Sequence, residues 1–167
     1  MSGKVFDDDG HGRVRQDHRP RRHFHARQVG IHPETVTCRI VVALVEEGVN
    51  LPVLTDLRYD SAEPHSVLMV FNADTDMTVE WEFGRELLVS GLQGLSGIGD
   101  VQIWYSEILG YGLLYLSFRS GEEKFLIAAS AVVVDEFLER TFEVVPQGKE
   151  ECFLHTEDRV GRLLGET

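Results

Sequence analysis

Apolar and polar residues alternate along much of the chain from Val36 onward, and this alternation predicts β-strands. In the first such segment, apolar side chains occupy every second position from Val36 to Leu44. A period of two is typical of a strand with one buried face. The same period, or a short apolar run, predicts further strands at residues 67–71, 78–83, 101–105, 113–118 and 124–129.

Short polar turns separate several of the predicted strands, at residues 73–76, 109–112 and 120–122. Parallel neighbours need a crossover of a dozen or more residues, whereas antiparallel neighbours can be joined by a tight turn. The turns therefore predict antiparallel pairing.

Helical patterns are few and short. Residues 85–90 predict one helix, and Gly91 is expected to end it as a C-terminal cap. A second helix is predicted over residues 131–142 with Ser130 as its N-cap, and a third from Thr156. The whole pattern predicts an α+β fold, in which curved antiparallel β-sheets or a barrel carry short helices at the edge.

The composition of the chain changes near residue 35. Residues 1–34 hold seven Lys or Arg and five Asp or Glu, a balance of +2, together with five of the seven His residues. The formal net charge of the chain is −12, so the remainder carries −14. Because the first segment has few aliphatic residues and no period, we expect a disordered His/Arg-rich tail over 1–34 and one domain over 35–167.

The His and Arg residues of the tail suggest two further roles. His23 and His25 could bind a metal ion with the other His residues of the tail, but no Cys or carboxylate has a suitable spacing, so we interpret them as solvated and expect no metal site. The arginines could contact nucleic acid or the acidic body of the same protein, and attraction to the body is the simpler hypothesis.

The compartment can also be predicted from the sequence. No apolar run approaches the roughly 20 residues of a membrane span, and the pair Arg21-Arg22 is not followed by the apolar region of an export signal. We therefore expect neither membrane insertion nor export. The two cysteines, Cys38 and Cys152, form no Cys-x-x-Cys motif, which favours a reducing cytoplasm.

A glycine-rich stretch follows the first predicted helix, with Gly91, Gly94, Gly97 and Gly99 in nine residues. A P-loop requires a Lys after its last glycine, and a dinucleotide-binding loop follows a strand and opens a helix. Here no Lys follows, and the glycines lead from a helix into a strand. We interpret the glycines after the cap as a connector and expect no cofactor.

Candidate catalytic groups are sparse. Glu80 and Glu82 share one face of a predicted strand, roughly 6.5 Å apart along the backbone, which is within the range used in glycoside hydrolysis. The pattern nevertheless predicts that this face is exposed to solvent. Cys38 is expected in the core, and Ser96 lacks the nucleophile-elbow motif. We expect no catalytic residues, and a hydrolase built on the two glutamates is the less favoured hypothesis.

Four segments of the body carry a family resemblance, and they are LPVLTDLRYDSAEPHSV (51–67), TVEWEFGRELLVSGL (78–92), GDVQIW (99–104) and FLERTFEVVPQGKE (137–150). In this order they resemble the SsgA-like proteins, the sporulation and cell-division regulators of filamentous actinomycetes. The resemblance covers residues 36–167, and the tail departs from the family pattern.

The resemblance implies a whirly-like fold and a trimeric, non-enzymatic cytoplasmic protein. In the family, the best-understood member brings the tubulin-like protein FtsZ to future septum sites, guided by a sister protein. We therefore expect a homotrimer at the division septum, with FtsZ and an SsgA-type sister protein as partners.

Seven residues are candidates for contact with such partners, and they are Leu57, Arg58, Tyr59, Trp104, Tyr105, Tyr111 and Phe118. Packing against the body or against the trimer seam is the simpler explanation for Tyr59 and Trp104.

Three further side chains have simple structural interpretations. Trp81 alternates strictly with its apolar neighbours and is expected in the core. Arg58 with Asp60, and Arg85 with Glu82, are expected to form ordinary surface pairs.

Binding of single-stranded nucleic acid is the alternative function, because other proteins of whirly-like fold bind it. The tail arginines would contact phosphates and the aromatic side chains would stack on bases. A body with a charge of −14 repels a phosphate backbone. We therefore expect protein partners and no nucleic acid.

Overall fold

The computed structural model of the chain describes residues 33–154. Within that range the elements are β1 (Thr35–Glu46), β2 (Val49–Asp60), β3 (Ser66–Phe71), β4 (Val79–Gly84), α1 (Arg85–Gln93), β5 (Val101–Ile108), β6 (Tyr111–Ser120), β7 (Glu123–Ser130) and α2 (Ala131–Val144). A further helical segment begins at Glu150. Residues 1–32 of the predicted tail, and the helix predicted from Thr156, lie outside the described residues.

The described strands form one seven-stranded antiparallel sheet in the order β4-β3-β2-β1-β7-β6-β5. Strands β1 to β4 form one meander and β5 to β7 another. The two meanders meet where β1 pairs with β7, through Ala43 opposite Ala128 and Leu44 opposite Ile127. The sheet curls into a half-barrel, and the predicted α+β class, with a curved antiparallel sheet and short helices, is confirmed.

Strand β2 is the one that the alternation did not predict, although it pairs with β1 along its whole length. Pro52 obscured it, because proline cannot donate a hydrogen bond to the ladder. The polar pair Thr55-Asp56 also obscured it, because two adjacent polar residues normally indicate an exposed segment. In the structure both residues are buried. Asp56 tolerates this burial because Arg39 binds its carboxylate at 2.8 Å.

Gly91 is a residue of α1 and not the predicted cap. The helix continues to Gln93, and the backbone N–H of Gly94 donates to the carbonyl of Ser90 at 3.0 Å. A Cβ atom at residue 91 would lie only 2.4 Å from Cγ2 of Ile103 on β5. The glycine therefore permits α1 to lie directly against β5, a contact that any larger side chain would obstruct.

Helix α2 is longer than predicted, and Ser130 is its N-cap residue as predicted. It continues to Val144, and the side chain of Ser130 makes no capping hydrogen bond. The side chains that α2 buries include Val134, Phe137 and Leu138, which lie on one side of the helix. These residues close the core against the curled sheet.

Phe118 of β6 is the centre of an aromatic cluster in the core. Its ring centroid lies 4.9 Å from that of Trp81, 5.8 Å from that of Phe71 and 6.0 Å from that of Phe83. Aromatic rings at such separations attract one another beyond the effect of area burial alone. Trp81 is half-buried and packs against the core, as its alternation predicted.

We expect the substitution Gly91→Ala to lower the free energy of unfolding by about 1–3 kcal/mol, because the added methyl group overpacks the contact with Ile103. Gly94→Ala is the matched control, since a Cβ atom there meets nothing within 4 Å and the residue has an extended φ of 174°. Urea unfolding of both variants measures the difference. Equal stabilities would contradict the close approach of α1 to β5.

Candidate functional site

Arg85 is a buried residue and not the surface partner of Glu82 that the sequence predicted. Its side chain is only 2% exposed, although it is the first residue of α1. The guanidinium carbon lies 4.9 Å from the ring centroid of Tyr59 and 4.6 Å from that of Phe142. Because a cation is attracted to an aromatic face, rings from β2 and from α2 both stabilise this buried charge.

Hydrogen bonds also compensate the burial of the Arg85 cation. Its Nη1 donates to the carbonyl oxygens of Thr141 at 3.3 Å and Val145 at 2.9 Å. Its Nη2 donates to Oε1 of Glu150 at 2.6 Å. The Thr141 carbonyl also accepts from the backbone N–H of Val145. Arg85 therefore adds a second donor at Thr141 and supplies one to the carbonyl of Val145, just beyond the end of α2. One side chain thereby joins α1, α2 and the segment that follows α2.

Two pKa values are shifted next to this arginine. Burial raises the pKa of Tyr59 to about 12, and the Tyr59 hydroxyl donates to the carbonyl of Pro64 at 3.0 Å. Burial alone would raise the pKa of Glu150, but hydrogen bonds from its own amide, from Arg85 and from the amide of Gly148 outweigh it and lower that pKa. Glu150 is therefore ionised at neutral pH, as the pair with Arg85 requires.

A second charged network lies on the face of β1 opposite the core. Arg39 donates to Asp56 at 2.8 Å and to Asp74 at 2.7 Å, and Arg58 donates to Asp56 at 3.0 Å. The predicted pairing of Arg58 with Asp60 is therefore wrong. The hydrogen bond from Arg39, opposed by burial and reinforced by Arg58, lowers the pKa of Asp56. This network stabilises the polar segment of β2.

Three of the seven predicted contact residues belong to the core. Leu57, Tyr59 and Phe118 are at most 2% exposed. Their side chains contact the protein's own interior, and this burial leaves them no surface for a partner. For Tyr59, the structure agrees with the simpler explanation, packing against the body of the protein.

The other four predicted contact residues reach the surface. Arg58 is exposed, and Tyr105 and Tyr111 are 41% and 74% exposed. Trp104 is half-buried and stacks on Tyr115, with ring centroids 5.6 Å apart. Because side chains alternate along a strand, Trp104 and Tyr105 lie on opposite faces of β5. A contact role for these four residues stays a prediction.

The turn between β5 and β6 exposes apolar side chains that the sequence analysis did not single out. Ile108 and Leu109 are 46% and 93% exposed, and they adjoin Tyr111. An apolar residue at the end of a strand cannot be told from a core residue by alternation alone, because exposure depends on how far the strand projects beyond its neighbours.

The open end of the half-barrel is a second apolar region. A cavity of about 170 Å³ lies there, lined mainly by apolar side chains that include Val53, Val79 and Phe125. Val79 and Phe125 are exposed at its rim. Val79, Trp81 and Phe83 lie on the same face of β4, and their exposure decreases along the strand from the exposed Val79 to the buried Phe83.

The tail His residues that the sequence suggested as metal ligands lie outside the described residues. Glu80 and Glu82 are exposed on β4. Cys38 is half-buried on β1, and burial raises the pKa of its thiol. Within residues 33–154, the His, Cys, Asp and Glu side chains form no group of three or more that could hold a metal ion. The exposed apolar surfaces are therefore the features of the described chain that are best suited to contact with other proteins.

Comparison with known proteins identifies the family. The family model described as the Streptomyces sporulation and cell division protein SsgA matches residues 53–150. The chain belongs to the SsgA family. This SsgA-family chain is 37% identical over 134 residues to the sporulation-specific cell division protein SsgB of Streptomyces coelicolor. The match covers 80% of this chain and 98% of the relative. The chain is 40% identical over 139 residues to SsgB of Salinispora tropica, covering 80% and 96%.

Solved structures agree with the family assignment. An SsgA-like sporulation-specific cell division protein from Thermobifida fusca has a TM-score of 0.73 at 29% identity, and covers 78% of this chain and 96% of its own. A second solved structure has a TM-score of 0.68 at 38% identity, and the match covers 72% of this chain and 96% of that one. It was reported with mutations in SsgB that correlate with longitudinal cell division during sporulation of Streptomyces coelicolor. The relatives are sporulation-specific cell division proteins, which supports a role for the SsgA-family chain in sporulation septation.

In the described part of the SsgA-family chain, none of the helices combines the length and the apolar character needed to cross a membrane.

We expect Arg85→Met to lower the free energy of unfolding by about 3 kcal/mol, because it leaves the Glu150 carboxylate without its cation and removes the hydrogen bond to the Val145 carbonyl. The double variant Arg85→Met/Glu150→Gln should recover part of this loss. Arg119→Met, at an exposed position of β6, is the control and should change stability by less than about 0.5 kcal/mol. Chemical unfolding measures all three. If Arg85→Met unfolds at the same denaturant concentration as the control, the arginine does not hold the helices together.

We expect Glu150 to contribute to the acid dependence of stability. Its pKa in the folded state is lowered from the ordinary value of 4.5. Its stabilising contribution is therefore complete above that value and is lost as the pH falls toward the folded pKa. Between about pH 6 and about pH 3, Glu150→Gln should lose less stability than the unchanged protein. Urea unfolding across this range is the measurement, with Glu47→Gln, at an exposed position in the β1–β2 turn, as the control. Parallel pH profiles for all three proteins would contradict the assignment.

Proposed function

We propose that the chain is a non-enzymatic adaptor that takes part in septum-site selection and recruits FtsZ to sporulation septa. The observation that carries the proposal is its similarity to SsgB of Streptomyces coelicolor, which extends over 98% of that relative. The similarity therefore concerns the whole of a cell division protein and not an isolated motif. An adaptor acts through surfaces that bind other proteins, and the described chain offers several.

The exposed apolar regions support a binding role. Contiguous apolar patches on a protein surface commonly mark interaction sites. The β5–β6 turn, with Ile108, Leu109 and Tyr111, offers one such region, and the open end of the half-barrel offers another. Arg58, Trp104, Tyr105 and Tyr111 remain the proposed contact residues.

We further propose that the chain is a homotrimer that works with an SsgA-type sister protein at the septum, in the cytoplasm. Strands β4 and β5 are the outer strands of the described sheet. The edge of β5 is partly covered, because Ile103 pairs with Ser96, so β4 is the better candidate for pairing with another chain. A trimer would also bind FtsZ polymers more tightly than a monomer does, because linked sites raise the effective concentration.

One observation favours the alternative, binding to single-stranded nucleic acid. Trp104 stacks on Tyr115, and the register of β5, β6 and β7 puts Arg119 and Lys124 on the same face as these rings. Aromatic platforms beside cations are typical of such binding. The net charge of −12 opposes it, so we favour protein partners.

Co-sedimentation with FtsZ polymers tests the proposed function. The purified full chain should pellet with FtsZ assembled in GTP and should stay in the supernatant without it. Because Trp104 and Tyr111 offer aromatic contact surface, their substitution by Ser should each weaken co-sedimentation by about tenfold. Mass measurement of the purified protein should give three times the chain mass of 18.9 kDa.

The double variant Glu80→Gln/Glu82→Gln is the control, and it should co-sediment and support septation like the unchanged protein. A loss of septation without a loss of FtsZ binding in this variant would favour the hydrolase hypothesis. Absence of co-sedimentation, both alone and with an SsgA-type sister protein, would contradict recruitment. Tight binding to single-stranded oligonucleotides at physiological salt would favour the alternative.

A further inference from the structure

A groove of about 560 Å³ lies between α1, α2 and the hairpin formed by β5 and β6. Its walls carry apolar side chains from both helices, including Val89 and Leu92 of α1 and Val132 and Leu138 of α2. We call it the α1–α2 groove. Of these four side chains, Val132 is exposed, Val89 and Leu92 are half-buried, and Leu138 forms the buried floor. An apolar groove of this kind favours an occupant that brings apolar surface of its own.

Tyr105 supplies the hairpin side of the α1–α2 groove. A Cβ atom at Gly112 would lie 3.0 Å from this tyrosine ring and 3.4 Å from Cβ of Ala131, the first residue of α2. Gly112 thus leaves room for the ring to lie against the start of α2. The ring is nevertheless 41% exposed, so it presents aromatic surface to the groove.

The charged groups around the α1–α2 groove are acidic. Asp135 lines it, and the exposed Glu139 lies one turn further along α2. The exposed Glu107 lies on the same face of β5 as the groove tyrosine. None of the described residues that line the groove is a Lys or Arg. The Arg140 side chain of α2 donates to the carbonyl of Thr37 on β1 at 3.4 Å.

The tip of the hairpin borders the α1–α2 groove and exposes an apolar side chain in an unfavourable conformation. Leu109 and Gly110 form the two-residue turn, with φ of 53° and 82°. Asn or Gly adopts a positive φ at such a turn more easily than Leu. A leucine that is 93% exposed and strained gains nothing from packing within the described chain. This arrangement suits a side chain whose contacts are made with a partner.

We propose that the α1–α2 groove binds an amphipathic helix of a partner protein, with an apolar stripe flanked by Lys or Arg residues. The apolar walls bury the stripe, as in other helix-in-groove complexes. The carboxylates at the rim pair with the flanking cations and select a basic helix over an acidic one. The inference rests on the proposed function, because it assigns one surface to the binding role.

A designed peptide tests the proposal without knowledge of the natural partner. The probe is a fluorescein-labelled helix of about 18 residues, roughly 27 Å long, with a Leu stripe flanked by Lys. A second probe carries Glu in place of each Lys. In anisotropy titrations with the full chain, the Lys probe should bind with an affinity that falls as salt rises, and the Glu probe should bind at least about tenfold more weakly.

Matched variants locate the binding surface. Val132→Ser should weaken binding of the Lys probe by about fivefold to tenfold. Val41→Ser, at a valine of similar exposure (65% against 63%) on the outer face of β1, should leave it unchanged. Asp135→Lys should weaken the Lys probe and strengthen the Glu probe, whereas Asp76→Lys in the β3–β4 turn should do neither.

The proposal is overturned if the Lys probe does not bind, if both probes bind equally, or if Val132→Ser and Val41→Ser behave alike. A Val132→Ser variant that changes the oligomer mass but not probe binding would also overturn it, because the groove would then lie between copies of the chain. FtsZ co-sedimentation of the unchanged protein separates the two proposals. If it persists while the Lys probe fails to bind, only the groove assignment is lost.

Discussion

The buried guanidinium of Arg85 is the interaction on which the arrangement of the helices depends. A charge removed from water is tolerated only where hydrogen bonds and an opposite charge replace the lost hydration. Arg85 finds both at the far end of α2, in the carbonyls of Thr141 and Val145 and in the carboxylate of Glu150. Because α1 begins at this arginine, the start of one helix and the end of the other are held at one point beside β2.

That point also determines where the binding surfaces lie. With α1 held at its first residue by Arg85 and fitted against β5 through Gly91, its outer side faces α2 across a groove. The tip of the β5–β6 hairpin borders this groove and exposes Leu109. Leu138 and Phe142 belong to both the core and the groove wall. The exposed Val132 and Asp135 line the groove without being part of the core, so substitutions at these two positions test binding with little effect on stability.

The sequence predicted most strands because alternation reports burial of one face, and it predicted the core position of Trp81 for the same reason. It did not predict β2, where a buried Asp56 depends on an arginine from another strand. Nor did it predict burial of Arg85, whose acceptors lie about 60 positions further along the chain. For the candidate site, the sequence pattern predicted exposed aromatic residues such as Tyr111. It did not predict the exposure of Leu109 or the presence of the groove, because both depend on how the hairpin and the helices pack.

The junction between β1 and β7 has a consequence for synthesis of the chain. Ala43 pairs with Ala128, about 85 positions later, so the first meander leaves the ribosome long before its neighbouring strand. At roughly 5–20 residues per second, one edge of β1 would wait on the order of 4–17 seconds for its natural neighbour. During that interval the backbone of Ala43 and Leu44 lacks its β7 neighbour, and an unpaired strand edge is open to pairing with another chain.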